Sequence, residues 1–209
     1  MHIALFGASG KVGSQLLNVL LERGHNVTVL VHNKKLKLAE VPNLKIITGD
    51  IYNPADVFKV IDSCEVVVST LGSWGSKNKD IVSTATKNII PAMEKARVKR
   101  FVSVTGGSAK LPNEKFSLIP NAMHFILGFT AKPIVNDAEE HLRLLASSNL
   151  DWTSIRAPIM TNQDTSKYRL SMEPVQPWAT ISRHAVVTAM LNVIENDTFH
   201  AAAPFISSK

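Results

Sequence analysis

The chain contains 209 residues, 45% of them hydrophobic and 19% charged, which predicts one compact globular domain over residues 1–209 with a full core. A single cysteine, no basic signal-peptide region and no apolar run of about 18 residues predict a cytoplasmic protein without a disulfide or membrane span. The net charge of +6 admits nucleic acid, but the basic residues are scattered without a recognition-helix or base-stacking pattern. We therefore expect no nucleic-acid partner and favour a small anionic ligand.

A glycine-rich turn follows the first apolar run of the chain. Residues 2–6 are apolar, the turn runs from Gly7 to Gly13 as Gly-Ala-Ser-Gly-Lys-Val-Gly, and an amphipathic helix is predicted over 11–23. A helix N-terminus offers unpaired N–H groups and the positive end of its dipole to a phosphate, and glycine lets the backbone come close. This strand, turn and helix context favours a dinucleotide pyrophosphate site over an ordinary strand-to-helix turn.

Apolar strand-like runs and helical segments alternate along the rest of the chain. The runs are rich in β-branched residues without polar alternation, which is typical of parallel strands buried on both faces. After 2–6 they lie at 27–31, 44–47, 65–70, 100–104 and 152–156, and the last of these closes the set. The remaining predicted helices cover 54–62, 78–97, 134–148 and 182–195. This order predicts an α/β fold with a doubly wound parallel sheet.

Two segments depart from this alternation. Residues 106–133 form a long connection after the fifth strand, and residues 161–181 are polar and contain prolines. Ligands of such sheets bind beyond the carboxyl ends of the strands, and both segments leave such ends. We therefore predict that both lie on the substrate side, with 106–133 as a lid. Its apolar part, 119–129, fits a substrate wall, a surface-packed helix or a homodimer contact.

The end of the second strand bears on which dinucleotide binds. An NAD enzyme places Asp or Glu there to accept a hydrogen bond from the ribose 2′-hydroxyl. No acidic residue lies within 23–39, and the strand leads into His32, Asn33 and Lys34, with Lys11 in the glycine turn. Cations and an amide suit a 2′-phosphate, which a carboxylate would repel. NADP is therefore favoured over NAD, unless the lysines are simply the solvated face of a short helix.

Several sequence blocks also occur in the order found in one family. The blocks are 7–13, 31–34, 49–51, 68–72, 88–93, 98–106 and 151–158, with an echo of a late family motif at 181–183. On these blocks the chain resembles the atypical short-chain dehydrogenase/reductase group. Within that group it is similar to the NAD(P)H-binding proteins of the biliverdin-IXβ/flavin reductase and NmrA-like kinds. The resemblance covers residues 1 to about 160 and implies a Rossmann-like fold.

The resemblance implies contacts with the dinucleotide along the carboxyl edge of the sheet. They would come from Gly7, Ser9, Gly10, Lys11, Val12 and Gly13 at the pyrophosphate; His32, Asn33 and Lys34 at the 2′-phosphate; Asp50 and Ile51 at the adenine; Thr70, Leu71 and Gly72 along the middle; and Thr105 and Pro158 at the nicotinamide. The family usually has arginine where His32 stands. This departure weakens the NADP preference or makes it pH-dependent, since imidazole is charged only in mildly acidic solution.

The catalytic pair of ordinary short-chain dehydrogenases, Tyr-x-x-x-Lys, is absent. The chain has two tyrosines, Tyr52 and Tyr168, and neither is followed by lysine four residues later. Hydride transfer to a flavin or quinone needs less from the protein, because the acceptor is electrophilic and solvent can supply the proton. Thr105, at the end of a central strand, is then the candidate catalytic hydrogen-bond donor, unless its hydroxyl merely bonds backbone.

Other candidate proton donors are His124, Lys132 and His141, although the charged stretch around His141 is more typical of a solvated helix face. No spacing of His, Cys and carboxylates suggests a metal site. We therefore expect an NADPH-dependent oxidoreductase that transfers hydride to a flavin, quinone or similar acceptor. The alternatives are a non-catalytic NAD(P)-sensing regulator of the NmrA-like kind and a small-carbonyl reductase that uses Thr105 or Lys132 as donor.

Overall fold

The structure is a computed structural model that describes residues 1–32, 41–112, 114, 131–176 and 178–208. The predictions for Asn33, Lys34 and His124, and most of those for the 106–133 segment, lie outside the described residues. The strands are β1 (His2–Phe6), β2 (Asn26–Val31), β3 (Leu44–Thr48), β4 (Val66–Ser69), β5 (Arg100–Gly106), β6 (Asp151–Ala157), β7 (Ile159–Thr161), β8 (Arg169–Ser171), β9 (Thr180–Ser182) and β10 (Phe205–Ser207). The helices are α1 (Lys11–Glu22), α2 (Pro54–Ile61), α3 (Ile81–Ala96), α4 (Lys132–Ala146) and α5 (Arg183–Glu195). None of these described helices is long and apolar enough to cross a membrane.

Eight strands form one sheet in the order β3-β2-β1-β4-β5-β6-β10-β8, and β7 pairs with β9 in a separate two-stranded sheet. Neighbours in the large sheet run parallel, except that β8 is antiparallel to β10. The chain moves outward from β1 to β3 on one side and from β4 to β6 on the other. A crevice therefore opens at the carboxyl ends of β1 and β4, where doubly wound sheets bind ligands. The predicted α/β fold with a doubly wound parallel sheet is confirmed.

Helices cover both faces of the sheet and explain the unbroken apolar runs. Along β1, Ile3 and Leu5 enter the core that α1 and α5 complete. Ala4 and Phe6 enter the opposite core, which α2, α3 and α4 complete. Successive side chains of a strand point to opposite faces, so a strand between two cores must be apolar at every position.

Two predictions about the sheet are wrong in detail. β3 was expected to be buried on both faces, but Lys45 and Ile46 are exposed, because β3 is the edge strand of the described sheet. The run at 152–156 does not close the set of strands, since β7 to β10 follow it. Each of these four strands has three residues, too short to form a recognisable apolar run. The segment 161–181 therefore contains β8 and most of β9 and is not a continuous loop.

Candidate functional site

The glycine turn brings β1, α1 and β4 into direct contact. Gly7 has a φ of +87°, and a Cβ atom on it would lie 2.8 Å from the carbonyl carbon of Thr70. A Cβ on Gly13 would lie 2.1 Å from the Gly7 carbonyl oxygen. Both positions therefore require glycine, the first for its left-handed backbone as well as for space. The turn closes with the Gly10 amide donating to the Gly7 oxygen at 2.9 Å.

The N-terminus of α1 faces the carboxyl edge of the sheet without a cap of its own. Gly10 is the N-cap residue and offers no side-chain bond, and the first turn of α1 has no acidic residue. The Ser14 amide donates to the Gly10 oxygen at 2.9 Å, so the amides of 11–13 precede the first intrahelical bond. Ser9 and Lys11 are exposed beside them. Backbone donors, a helix dipole, a cation and room left by glycine together fit a pyrophosphate.

The predicted adenine side lies at the ends of β2 and β3. The Asp50 amide donates to Asp56 Oδ2 at 3.1 Å, and the Asp50 carboxylate accepts from the Tyr52 amide at 3.0 Å. His32 Nδ1 lies 3.9 Å from the other Asp50 carboxylate oxygen. His32 therefore has a carboxylate neighbour in the folded protein, although no acidic residue lies near it in the sequence. Sequence reasoning missed this neighbour, because Asp50 arrives from the end of the adjacent strand.

The loop after β4 forms the predicted middle of the site. The Thr70 amide and hydroxyl both donate to the Phe6 carbonyl oxygen, at 2.9 and 3.1 Å. Thr70 therefore ties β4 to β1 and sits against the glycine turn. Leu71 is half-buried against the core of α2, α3 and α4, whereas Gly72 is exposed. The backbone of 70–72 consequently lies along the crevice and is held to β1 by Thr70.

Thr105 lies at the carboxyl end of β5, opposite Arg156 of β6 in the parallel register. The residue is 8% exposed, and among the described residues its hydroxyl has no hydrogen-bond partner. The hydroxyl oxygen is not among the fully buried atoms without a partner, so it keeps contact with solvent and can meet a ligand. The Gly107 amide donates to the Ala157 oxygen at 2.7 Å, which fixes Pro158 close to the same strand ends.

His141 is fully buried, so the prediction of a solvated helix face is wrong. Its Nδ1 lies 2.6 Å from the Thr86 hydroxyl, which donates its one proton to the Val82 oxygen at 2.8 Å. Thr86 must therefore accept from Nδ1–H, and Nε2 accepts from the hydroxyls of Ser103 and Ser154 at 3.0 and 3.3 Å. Burial lowers the pKa of His141 to about 4. The imidazole is a neutral bridge between α3, α4 and the sheet rather than an acid for a ligand.

Asp137, which sequence reasoning did not single out, joins α4 to the start of α3. Its buried carboxylate accepts from the amides of Val82 and Ser83 at 3.1 and 2.8 Å, and from the Ser73 hydroxyl. Amides in the first turn of a helix lack intrahelical acceptors and carry the positive end of the dipole, so a carboxylate suits them. Because Ser73 follows 70–72, Asp137 also connects the loop after β4 to α4. No motif in the sequence marks this role.

A second polar cluster lies at the opposite edge, where β5 and β6 begin. Asp151, Asp197 and His200 bring potential metal-ligand atoms within 4.8 Å of one another, a group that sequence spacing did not reveal. The Arg100 guanidinium lies 3.4 Å from the Asp151 carboxylate and 3.2 Å from that of Asp197. His200 Nδ1 is 2.9 Å from Asp151, and this hydrogen bond raises the pKa of His200. The carboxylates are thus already neutralised by protein cations.

The sheet order, the glycine turn and the uncapped α1 together define a dinucleotide-binding protein of the Rossmann type. The chain matches the family described as NAD(P)H-binding over residues 7–197 and belongs to it. The resemblance found in the sequence is confirmed at this level. Among solved structures, a short-chain dehydrogenase/reductase from Veillonella parvula DSM 2008, in complex with NADP, has the same fold. Its TM-score is 0.79 at 21% identity, over 99% of this chain and 94% of that one.

The curated relatives are longer proteins that match only part of this chain. A 3-beta-hydroxysteroid dehydrogenase of Mycolicibacterium neoaurum is 28% identical over 119 residues, which are 51% of this chain and 32% of that protein. The photosystem II assembly factor Ycf39 of Cyanophora paradoxa is 25% identical over 124 residues, 57% of this chain and 37% of that protein. The chain thus matches about a third of the length of these relatives.

Proposed function

We propose that the protein is an NADPH-dependent oxidoreductase that passes hydride to a flavin, a quinone or a similar electrophilic acceptor. The observation that carries the proposal is Thr105 at the carboxyl end of β5, whose hydroxyl has no hydrogen-bond partner among the described residues and keeps contact with solvent. The family supplies the cofactor class, and the glycine turn supplies amides and space for its pyrophosphate.

The side chains present fit a dinucleotide laid along the carboxyl edge. The amides of 11–13 would hold the pyrophosphate, 70–72 would line the middle, and Thr105 would lie at the nicotinamide end. When bound, the reduced nicotinamide supplies the hydride. The protein contributes orientation, because the turn at Gly7 packs directly against Thr70 and the Thr70 hydroxyl ties the loop after β4 to β1.

Both tyrosines hold other partners, so the proposal uses neither of them as an acid and chooses an acceptor that needs none. The Tyr52 hydroxyl donates to Asp80 at 3.1 Å, and the Tyr168 hydroxyl accepts from Asn192 at 2.6 Å. Flavins and quinones take up hydride at an electrophilic ring, and solvent provides the accompanying proton. In this proposal Thr105 donates a hydrogen bond that orients the acceptor or the carboxamide, and it keeps its proton.

The preference for NADPH rests on the His32 end of the crevice. Support comes from the absence of acidic residues within 23–39 and from the net charge of +6. The Asp50 carboxylate beside His32 opposes it. We expect NADPH to bind about tenfold or more tightly than NADH, because a 2′-phosphate gains charge-assisted contacts. Calorimetric titration with both cofactors measures this, and equal affinities would reject the preference.

The proposed reaction is tested by steady-state oxidation of NADPH with FMN, riboflavin, menadione and a simple ketone as acceptors. We expect turnover with the flavins or the quinone and none with the ketone, which needs a protein acid. Loss of the nicotinamide absorbance gives the rate, with heat-treated protein as the background. A rate no higher than background with every acceptor would overturn the proposal.

A non-catalytic dinucleotide sensor is the second candidate function. It is favoured by the same finding that the described tyrosines and His141 are held in hydrogen bonds and give no acid at Thr105. One curated relative, moreover, is named as an assembly factor. A sensor would bind oxidised and reduced cofactor with different affinities in calorimetry and would turn over no acceptor. A reductase would release oxidised cofactor in the acceptor assay.

A further inference from the structure

Arg156 is a fully buried charge at the carboxyl end of β6. Its Nε donates to the Ala203 oxygen at 2.8 Å, and a terminal nitrogen donates to the Ala109 oxygen at 3.3 Å. The two terminal nitrogens also form a paired contact with the Glu114 carboxylate, at 2.5 and 2.9 Å. The guanidinium carbon lies 3.7 Å from the centroid of the Phe205 ring. One side chain therefore joins β6 to the chain that follows β5 and to β10.

An ion pair of this kind, with Arg156 fully buried and the Glu114 side chain 21% exposed, specifies position more than it adds stability. Removal of both charges from water offsets most of their attraction, and an apolar pair of similar shape would often hold the same elements as well. The planar guanidinium and the carboxylate, in contrast, fit each other in one bidentate geometry. The pair thus selects one placement for Glu114 relative to β6.

That placement lies beside the unpartnered hydroxyl. Thr105 and Arg156 are register partners on neighbouring strands, so their side chains leave the same face of the sheet. The amides of Gly107 and Lys110 donate to β6 and α4, at 2.7 and 3.2 Å, and fix the chain between Thr105 and the ion pair. The stretch 107–112, called the wall below, thus leads from the end of β5, where Thr105 lies, to Glu114, and the ion pair holds its far end.

We infer that Arg156 and Glu114 are positioning residues that hold this wall and thereby set the affinity for the acceptor, without taking part in cofactor binding. The inference rests on the proposed function, because it takes the space beside Thr105 as the place of the acceptor. Apart from Thr105 and Pro158 at the nicotinamide end, the proposed cofactor residues follow β1 to β4 or begin α1, and the contacts of Arg156 described above reach none of these parts of the chain. A change in the Arg156–Glu114 ion pair should therefore alter the affinity for the acceptor and leave the affinity for the cofactor unchanged.

The test uses Glu114→Gln, which keeps the shape of the side chain and removes its charge. The chain offers a matched control in Glu140, which forms a similar paired contact with Arg143, at 2.6 and 2.8 Å, on the exposed side of α4. We expect Glu114→Gln to raise the acceptor KM by about tenfold and to leave the NADPH Kd within about twofold. Glu140→Gln should change neither constant. Glu114→Asp, which keeps the charge, should restore part of the acceptor affinity.

Hydrogen exchange provides a readout that does not need turnover. The amides of 107–112 should exchange faster in Glu114→Gln, whereas those of α1 keep their protection. An unchanged acceptor KM or unchanged exchange over 107–112 would overturn the inference. If the wild-type protein reduces no acceptor, the proposed function fails, and exchange still decides whether Glu114 holds the wall. If Glu114→Gln does not fold, Glu114→Asp takes its place, and an unaltered acceptor KM in that variant counts against the inference.

Discussion

The two ends of the candidate site are built by different means. In the cofactor half, which comprises β1, α1 and the loop after β4, Gly7 and Gly13 let backbones touch. In the acceptor half, which comprises β5, β6 and α4, buried polar side chains such as His141, Asp137 and Arg156 hold the elements. A close backbone contact is lost when a single atom is added, with a large loss of stability. A polar contact can be weakened in smaller steps, and its strength depends on pH. The four predictions below test that difference.

The largest effect is expected for Gly13→Ala in the cofactor half. The new methyl group would lie 2.1 Å from the Gly7 carbonyl oxygen, and backbone cannot move aside cheaply. We expect a loss of about 3 kcal/mol or more in the free energy of unfolding, together with loss of measurable NADPH binding. Urea denaturation and calorimetry measure the two quantities. For the free energy of unfolding, Gly10→Ala is the control, since its Cβ would meet the Gly7 oxygen at a milder 3.3 Å.

The acceptor half should lose stability in mild acid because of His141. Burial puts its folded-state pKa at about 4, below the ordinary value of 6.5, so the unfolded state binds more protons between these values. The contribution is fully present above pH 6.5 and is lost as the pH falls to about 4. The loss should reach about 3 kcal/mol, measured as the free energy of unfolding in urea across this range.

Two variants isolate this pH effect. His141→Gln should flatten the dependence between pH 6.5 and 4, and an unaltered slope in that variant would count against the assignment. The hydrogen bond that His200 donates to Asp151 raises the pKa of His200, so its contribution to stability changes with pH in the opposite direction. That contribution is present at low pH and is lost as the pH rises through the raised pKa, and His200→Gln should remove it.

Asp137→Asn should have the next largest effect, in the contact between α4 and α3. The substitution keeps a hydrogen-bonding oxygen and removes the charge from the first amides of α3, which should cost about 2 kcal/mol. Asp80→Asn is the matched control, because Asp80 occupies the N-cap position of the same helix and makes no side-chain cap bond. Thermal unfolding of both variants measures the difference, and equal melting temperatures would contradict it.

The smallest effect is expected for Thr105→Val, which keeps the shape of the side chain and removes its hydroxyl. One lost neutral hydrogen bond corresponds to about 1 kcal/mol, so kcat with the acceptor should fall about fivefold to tenfold. NADPH affinity and unfolding free energy should stay close to those of the wild type. Thr105→Ser should retain most of the rate. Full activity in Thr105→Val would exclude the proposed role of the hydroxyl.

The cofactor half could be predicted from the sequence because its determinants are local. The apolar run, the turn from Gly7 to Gly13 and the helix after it are contiguous, so their spacing alone indicates the geometry. The predicted doubly wound sheet followed from the same kind of local pattern. The contact of His32 with Asp50 could not be predicted in this way, since the two residues are 18 positions apart and follow the ends of two different strands.

The acceptor half could not be predicted in the same way. His141 stands in a charged stretch, but α4 turns that side chain toward β5 and β6 while Glu140 and Arg143 stay on the outer side. Asp137 finds its partners 54 and 55 positions earlier in the chain. A polar residue joins two elements in this way only through partners that are distant in the sequence, so no local pattern indicates the role.

The place of β10 in the sheet has a consequence for how the protein is made. Residues 205–207 insert between β6 and β8, although they come after every other described element in the chain. The Phe205 ring and the Ala203 oxygen then complete the surroundings of Arg156. During synthesis, therefore, the cofactor half must wait for α5, which completes its core with α1, and the acceptor half must wait for residue 207 to leave the ribosome. A nascent chain should accordingly bind the dinucleotide only after α5 has been made, and its acceptor side should be finished last.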